Sequence, residues 1–284
     1  MNAAGDLPTI ENEILTVIEP QDAWLRFHFL ELWRYRELLF FLVWKEIKVR
    51  YKQTLLGASW AVLQPLLTMV IFSVVFGLLA KLPSEGVPYP VFSLVGLLPW
   101  QFFSSALSRA GTSLVVNSNL LTKVYFPRLI LPLSAVLAGL VDFGISFLVL
   151  LVLMIAYGIV PTLAIFFLPL FILFAMLTAL AVALWLSALN VQYRDVQYII
   201  PFLVQAWMYA SPVAYSIDLI PQGPWRVIYG LNPIAGVIQG FRWALLGASP
   251  PDALMWVSLA VTLLILVGGI LYFQRMEDSF ADVV

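Results

Sequence analysis

Apolar and polar residues follow one another along this chain in long blocks. Six stretches, 59–80, 89–108, 129–160, 162–189, 198–217 and 253–273, are free or nearly free of charge. Each runs for about 20 residues or more, the length an α-helix needs to cross about 30 Å of hydrocarbon. Pro65, Pro99, Pro201 and Pro212 interrupt three of them. The pattern predicts an all-α polytopic membrane protein with six transmembrane helices.

Two other stretches carry a different pattern. Upstream of the first block, Arg34, Glu37, Lys45, Lys48 and Lys52 follow steps of three and four, with Phe41 filling the gap, while Phe40, Trp44, Ile47 and Tyr51 lie opposite. A cationic stripe against an aromatic one predicts an amphipathic helix lying in the membrane interface, over 24–58; the alternative is a helix packed in a soluble domain. A membrane span is disfavoured there, since a charge at the bilayer centre costs about 2.5–3.5 kcal/mol. Between the second and third blocks, Gly111–Pro132 is too polar to cross. Thr112, Ser113, Asn117, Ser118, Asn119, Thr122 and Lys123 alternate with Leu114, Val115, Val116, Leu120 and Leu121 at roughly helical spacing. Phe126-Pro127-Arg128 then ends the pattern, because proline disfavours helix in the residue before it. This predicts a short helix at 112–123, either a part on which something outside the membrane pushes or a loop on the lipid surface.

The segment 218–252 is cut at Asn232-Pro233 and carries Arg226 and Arg242. Two helices of about 7 and about 14 residues fit it, too short to span, so they dip in and return or lie on the surface. An arginine in such a hairpin needs a partner, because a lone charge at depth is costly.

Composition narrows the function classes. The chain is 62% hydrophobic and 11% charged, against about 25% charged in soluble proteins. With no cysteine and only His28, a disulfide framework, a thiolate metal site and a histidine relay are excluded. The segment 1–23 holds five acids and no base, the reverse of a signal peptide, and reads as a soluble tail; 276–284 reads as a second, short tail. With the N-terminus inside, twelve of the fifteen lysines and arginines fall on the interior side, and only Lys81, Arg226 and Arg242 fall outside. That asymmetry predicts cytoplasmic N- and C-termini. There is no G-x-x-x-x-G-K-[ST], no H-E-x-x-H and no G-x-S-x-G, so no nucleotide, zinc or hydrolase site is expected here.

Two features inside the blocks carry possible chemistry. Asp142 is the one acid clearly within a block; it reads as an interhelical contact, with Arg109 as partner, or as a functional ionisable group. Tyr198, Phe202, Gln205 and Tyr209 share one helical face, as do Trp60, Gln64 and Thr68. Rings interleaved with amides and hydroxyls suit a sugar chain. The other reading is an interfacial aromatic belt with polar groups joining helices.

The order of these features, together with RYKQTLLGASWAVLQPLLTM, SNLLTKVYFPRLILPLSAVLAGLVDF and LNPIAGVIQGFRWALLG, resembles the permease subunit of type-2 ABC exporters. It is most similar to the branch that exports lipid-linked polysaccharides: O-antigens, capsular polysaccharides and teichoic acids. The resemblance covers about residues 30–275, with 59–275 as the six-span transmembrane domain. It implies a homodimer in the bacterial inner membrane, bound to two copies of a separate ATPase that holds the ATP and Mg. No cofactor, metal, catalytic residue or nucleic acid belongs to this chain in that picture. The coupling helix between spans two and three would meet the ATPase through Asn117, Asn119, Thr122 and Lys123, with Arg128 anchoring its exit. The interface helix would offer Lys45, Lys48 and Lys52 to lipid phosphates or to the pyrophosphate of the substrate. Reentrant helices near 225–231 and 234–247 would flank Asn232 and Pro233 and carry Arg242. The channel would be lined by Trp60, Gln64, Thr68, Tyr198, Phe202, Gln205 and Tyr209. Alternatives are a type-2 permease for a small drug or lipid, and a membrane-embedded glycan-processing enzyme. The enzyme should show clustered acids at one membrane face, and Asp195 with Asp218 makes no such cluster.

Overall fold

The structure, a computed structural model, describes residues 29–52, 59–221, 223–277 and 280. The predicted acidic tail at 1–23, the beginning and end of the predicted 24–58 helix and most of the 276–284 tail lie outside the described residues. Among the described residues every regular element is helical. They are α1 (Phe29–Arg34), α2 (Arg36–Lys52), α3 (Ser59–Phe72), α4 (Tyr89–Val116), α5 (Ser118–Leu121), α6 (Ile130–Ala156), α7 (Leu168–Gln192), α8 (Val196–Tyr209), α9 (Pro224–Tyr229), α10 (Pro233–Leu246) and α11 (Ala253–Glu277). A π-helical stretch, Ser73–Leu79, prolongs α3, and a 3-10 turn, Leu163–Phe167, leads into α7.

Five helical stretches are long and apolar enough to cross a membrane: Ser59–Leu79, Tyr89–Val116, Ile130–Ala156, Leu163–Gln192 and Ala253–Glu277. The chain is a multi-pass membrane protein. The predicted span at 198–217 differs. Here α8 has 14 residues and gives way to turns at 210–216 and a 3-10 turn, Ile217–Leu219. Pro212 accounts for the break: it has no N–H to donate, and it pushes Ser211 out of the helical region.

The predicted helix at 112–123 is divided. Residues Thr112–Val116 continue α4, and only Ser118–Leu121 form a separate turn. The hydroxyls do not break α4, because Ser108, Thr112 and Ser113 donate back to the carbonyls of Ser104, Ser108 and Ala110 on the same helix. Asn117 ends it, its Nδ2 donating to the Ser113 carbonyl at 2.8 Å.

Helix α4 is the centre of the bundle. Every residue from Val91 to Trp100 is buried, and α3, α6, α7, α8 and α10 all pack on α4, with α11 against α7 and α10. Helices in lipid associate through close packing rather than through release of water, so small residues at crossings matter. On α10, a Cβ at Gly236 would stand 2.7 Å from the Ser258 Cβ of α11, and one at Gly240 would stand 2.3 Å from the Phe171 ring of α7. A second cluster, with Leu42, Leu114, Leu121, Phe126, Phe273 and Phe280, joins α2 to the Val116 end of the bundle.

The Phe171 ring is buried on all sides, at 2% exposure, and cannot swing aside. Gly240→Ala should therefore cost about 1–3 kcal/mol, the usual range for overpacking, seen as a lower melting temperature in detergent. Gly144→Ala, whose added Cβ would meet nothing within 4 Å, should leave it unchanged. Equal melting temperatures for the two variants would contradict this packing.

Candidate functional site

Polar side chains gather at the two ends of α4 and along two exposed faces. At the Val116 end, Lys45 Nζ on α2 donates to Asn117 Oδ1 at 3.0 Å. Asn117 is buried, at 9% exposure, and thus forms the seam with α2. It does not stand with Asn119, Thr122 and Lys123, which are exposed beside Val116, Val124 and Tyr125. The Arg128 backbone N–H donates to Glu277 Oε1 at 2.9 Å, and its guanidinium lies 6.0 Å over the Phe280 ring. The end of α11 therefore holds the start of α6, a contact that no local sequence pattern signals.

Further along the bundle, three helices meet at Asp142 on α6. Arg50 and Tyr51 of α2 both donate to its carboxylate, and Arg109 of α4 lies 3.6 Å from the oxygen that Arg50 holds. Arg109 also donates to Ser105 Oγ at 3.1 Å. Burial, and then the bond to Asp142, push the Tyr51 hydroxyl up to about 12, so Tyr51 stays a protonated donor. From sequence Asp142 looked buried within a span. The structure brings it, at the middle of α6, to Arg109 of α4. Its side chain is 26% exposed. The cluster ties α2, α4 and α6 together. Lys45 is engaged by Asn117, while Lys48 and Lys52 are exposed alongside Phe40, Phe41 and Trp44.

The Tyr89 end is built around the unwound residues 210–216. Tyr229 and Asn232 donate to the Ala210 carbonyl at 3.0 and 3.1 Å, and Tyr89 donates to that of Ala214 at 2.5 Å. Arg242 donates to the carbonyls of Val213 and Tyr215 at 3.0 and 2.9 Å, with its guanidinium 3.9 Å from the Phe92 ring centre. Asn232 also accepts from Trp207 Nε1 at 2.9 Å, and Pro233 opens α10 as its first residue, where its missing N–H costs nothing. Arg226 pairs with Asp218 at 2.7 Å and Asp252 at 3.2 Å.

The two aromatic-polar faces are real surfaces. Tyr198 is 74% exposed, Phe202 73% and Tyr209 62%, with Gln205 exposed between them. On α3, Trp60 and Gln64 are exposed and Thr68 is half-buried, its hydroxyl donating to the Gln64 carbonyl at 2.9 Å. Both helices lean on α4, and among the described residues α3 and α8 make no substantial contact with each other. A cleft of about 630 Å³ opens at the end of the α8 face, between Trp207, Trp225, Ile228 and Tyr229. Among the described residues no three His, Cys, Asp or Glu side chains converge to hold a metal ion.

Residues 37–246, from α2 to the end of α10, match the family described as ABC-2 type transporter. The chain belongs to that family. It is 34% identical over 255 residues to the O-antigen export system permease protein RfbA of Myxococcus xanthus, covering 89% of this chain and 97% of the relative. It is 28% identical over 250 residues to the protein of the same name from Klebsiella pneumoniae, covering 87% and 95%. The polysialic acid transport protein KpsM of Escherichia coli is 25% identical over 244 residues, covering 82% and 91%. The matched span of this ABC-2 transporter chain contains both polar ends of α4 and both exposed faces.

Asp142→Asn keeps the shape of the side chain and removes the charge between two guanidiniums. Breaking a fully buried pair costs about 3–5 kcal/mol; with a quarter of Asp142 exposed, about 1–2 kcal/mol is expected. The melting temperature should fall, and Tyr51→Phe should lower it less. A stability unchanged by Asp142→Asn would remove the cluster as a structural tie.

Proposed function

We propose that the chain is the transmembrane subunit of an ATP-driven exporter that moves a lipid-linked polysaccharide, of the O-antigen class, from the cytoplasmic to the outer side of the bacterial inner membrane. The observation that carries this reading is the similarity to an O-antigen export system permease over 97% of that protein's length. Exposed rings alternating with amides on α3 and α8 support a sugar chain as cargo, because rings stack on pyranose C–H faces while amides meet hydroxyls.

The permease works as a homodimer of six-span subunits with both termini cytoplasmic, α8 and the turns after it forming the fifth crossing. Support for the dimer comes from α3 and α8, whose aromatic-polar faces flank α4 without substantial contact between the two helices among the described residues; a second copy closes them into a channel. Support for the orientation comes from the Lys and Arg asymmetry. A separate ATPase, in two copies, binds ATP and Mg and presses on the exposed Asn119, Thr122, Lys123, Val124 and Tyr125. Asn117, Lys45 and Arg128 relay that movement into α2 and α6. Helices α9 and α10 are the reentrant pair; the ring of Phe241 on α10, 5.9 Å from that of Phe143 on α6, supports this depth. Lys48 and Lys52 offer charge to lipid phosphates.

Export of a labelled lipid-linked glycan into vesicles holding permease and ATPase tests the reading. Phe202→Ala or Tyr209→Ala should reduce export about tenfold without changing melting temperature, while Tyr209→Phe should retain most of it, since stacking needs the ring. Loss of stability in step with export would make these residues packing instead of channel lining.

The coupling surface has its own test. Asn119→Ala with Lys123→Ala should leave the permease folded while weakening ATPase co-purification several-fold. Unchanged co-purification and unchanged substrate-stimulated hydrolysis would return this turn to an ordinary loop.

A further inference from the structure

The buried guanidinium of Arg242 raises a question of charge. It is 2% exposed, and the two groups it donates to are neutral carbonyls. A cation withdrawn from water needs an anion nearby. Asp218 and Asp252 are both committed to Arg226. The acid that remains at this end is Glu85, on the turn between the π-helical stretch and α4. That turn is unusual. Lys81 and Glu85 have φ of 51° and 56°, left-handed backbone that costs a non-glycine residue about 1–2 kcal/mol, and the surrounding structure must hold it there. The hydrogen bond from Ser216 Oγ to Glu85 Oε1 supplies such a hold and turns the carboxylate inward.

Glu85, Gln239 and Arg242 line one small cavity, together with Pro212, Ile217 and Ser249. Measured as the space for the centre of a water molecule, it holds about 10 Å³, room for one water. Glu85 Oε2, Gln239 Oε1 and Arg242 Nε are each buried and make no hydrogen bond within the protein. Two acceptors and one N–H donor are the complement of a single water: its two hydrogens satisfy the oxygens and a lone pair takes the N–H.

We propose that one water molecule sits in this cavity and bridges Glu85, Gln239 and Arg242, completing a buried, water-mediated ion pair between the 81–88 turn and α10. Glu85 is then a positioning residue. Its charge keeps Arg242 ionised in an apolar setting, and Arg242 in turn holds the Val213 and Tyr215 carbonyls. The left-handed backbone at Glu85 is compensated by this contact. Ser216 lies on the same route, so the turn, the unwound stretch and α10 move as one unit.

Two measurements on the purified permease–ATPase assembly test this, and neither needs substrate, so they stand apart from the export assay. A cryo-EM map that resolves internal waters should show a peak within hydrogen-bond distance of all three atoms. Glu85→Gln and Arg242→Met should each lower the melting temperature by about 5 °C or more, while the double variant should lose clearly less than the two losses together, because each single change strands a buried charge. An empty cavity in a map that resolves other internal waters, or additive losses, would overturn the proposal. Where Arg242→Met fails to assemble, Gln239→Leu keeps both charges and should lose the peak; a peak retained there overturns it as well.

Discussion

In hydrocarbon every backbone N–H and C=O must find a partner within the protein, and this chain breaks a helix where Ser211, Pro212 and Val213 are buried among packed helices. Once Pro212 stops α8, the carbonyls of Ala210, Val213, Ala214 and Tyr215 lose their helical donors. The rest of the Tyr89 end is built to replace them. Tyr89, Tyr229, Asn232 and Arg242 reach in from three different elements, each donating to one or two of these oxygens. The hairpin must then come close to the core, and α10 does so by presenting Gly236 to α11 and Gly240 to α7. A larger residue at either position would push Arg242 away from the carbonyls it serves. Close packing and polar satisfaction are one constraint here.

The Val116 end obeys different physics. Its ties are charged and partly exposed: Asp142 with Arg50 and Arg109, Lys45 with Asn117, Glu277 with the Arg128 N–H. In a setting closer to water each such tie contributes less and is exchanged more readily. On the proposed reading this suits a region that a motor protein must push. It also joins α2, α4 and α6 at a single carboxylate, so displacement of the Asn117 turn reaches α2 through Lys45 and the core helices through Arg109.

What sequence reasoning could see was what a bilayer imposes. The apolar blocks stood out because length and absence of charge are demanded residue by residue, and the hairpin split at Asn232-Pro233 because proline marks a first helical residue. The end of α8 at Tyr209 was hidden: Pro212 lies three residues later, and the uncharged run continues to 217. The division of 112–123 was hidden because serines and threonines that look like breakers satisfy themselves within α4. The inward turn of Asn117 follows from that continued helix, which changes the face on which it falls. The residues missed altogether, Glu85, Glu277 and Phe280, act across the chain. Ser216 and Glu85 are 131 positions apart, and Arg128 and Glu277 are 149 apart, so no periodicity registers them. The sequence points to Asp142 and Arg109, but it places Tyr51 in an aromatic stripe and leaves Arg50 outside both stripes.

The helices that carry the exposed aromatic-polar faces are only lightly held by the bundle. On α8 only Ile200 is buried, and on α3 only Pro65, Met69 and Phe72, whereas α4 and α10 are buried along most of their lengths. Elements with few buried contacts open at the lowest free energy. On the proposed reading, a polymer that needs a variable passage meets two helices able to shift against α4 while α4, α7, α10 and α11 stay packed. The π-helical stretch that prolongs α3, with no buried residue of its own, adds a wider and weaker turn where such a shift is absorbed. On the proposed reading, Phe202 and Tyr209, exposed in the single chain, line a passage between two copies, its width set by how far α3 and α8 lean from α4.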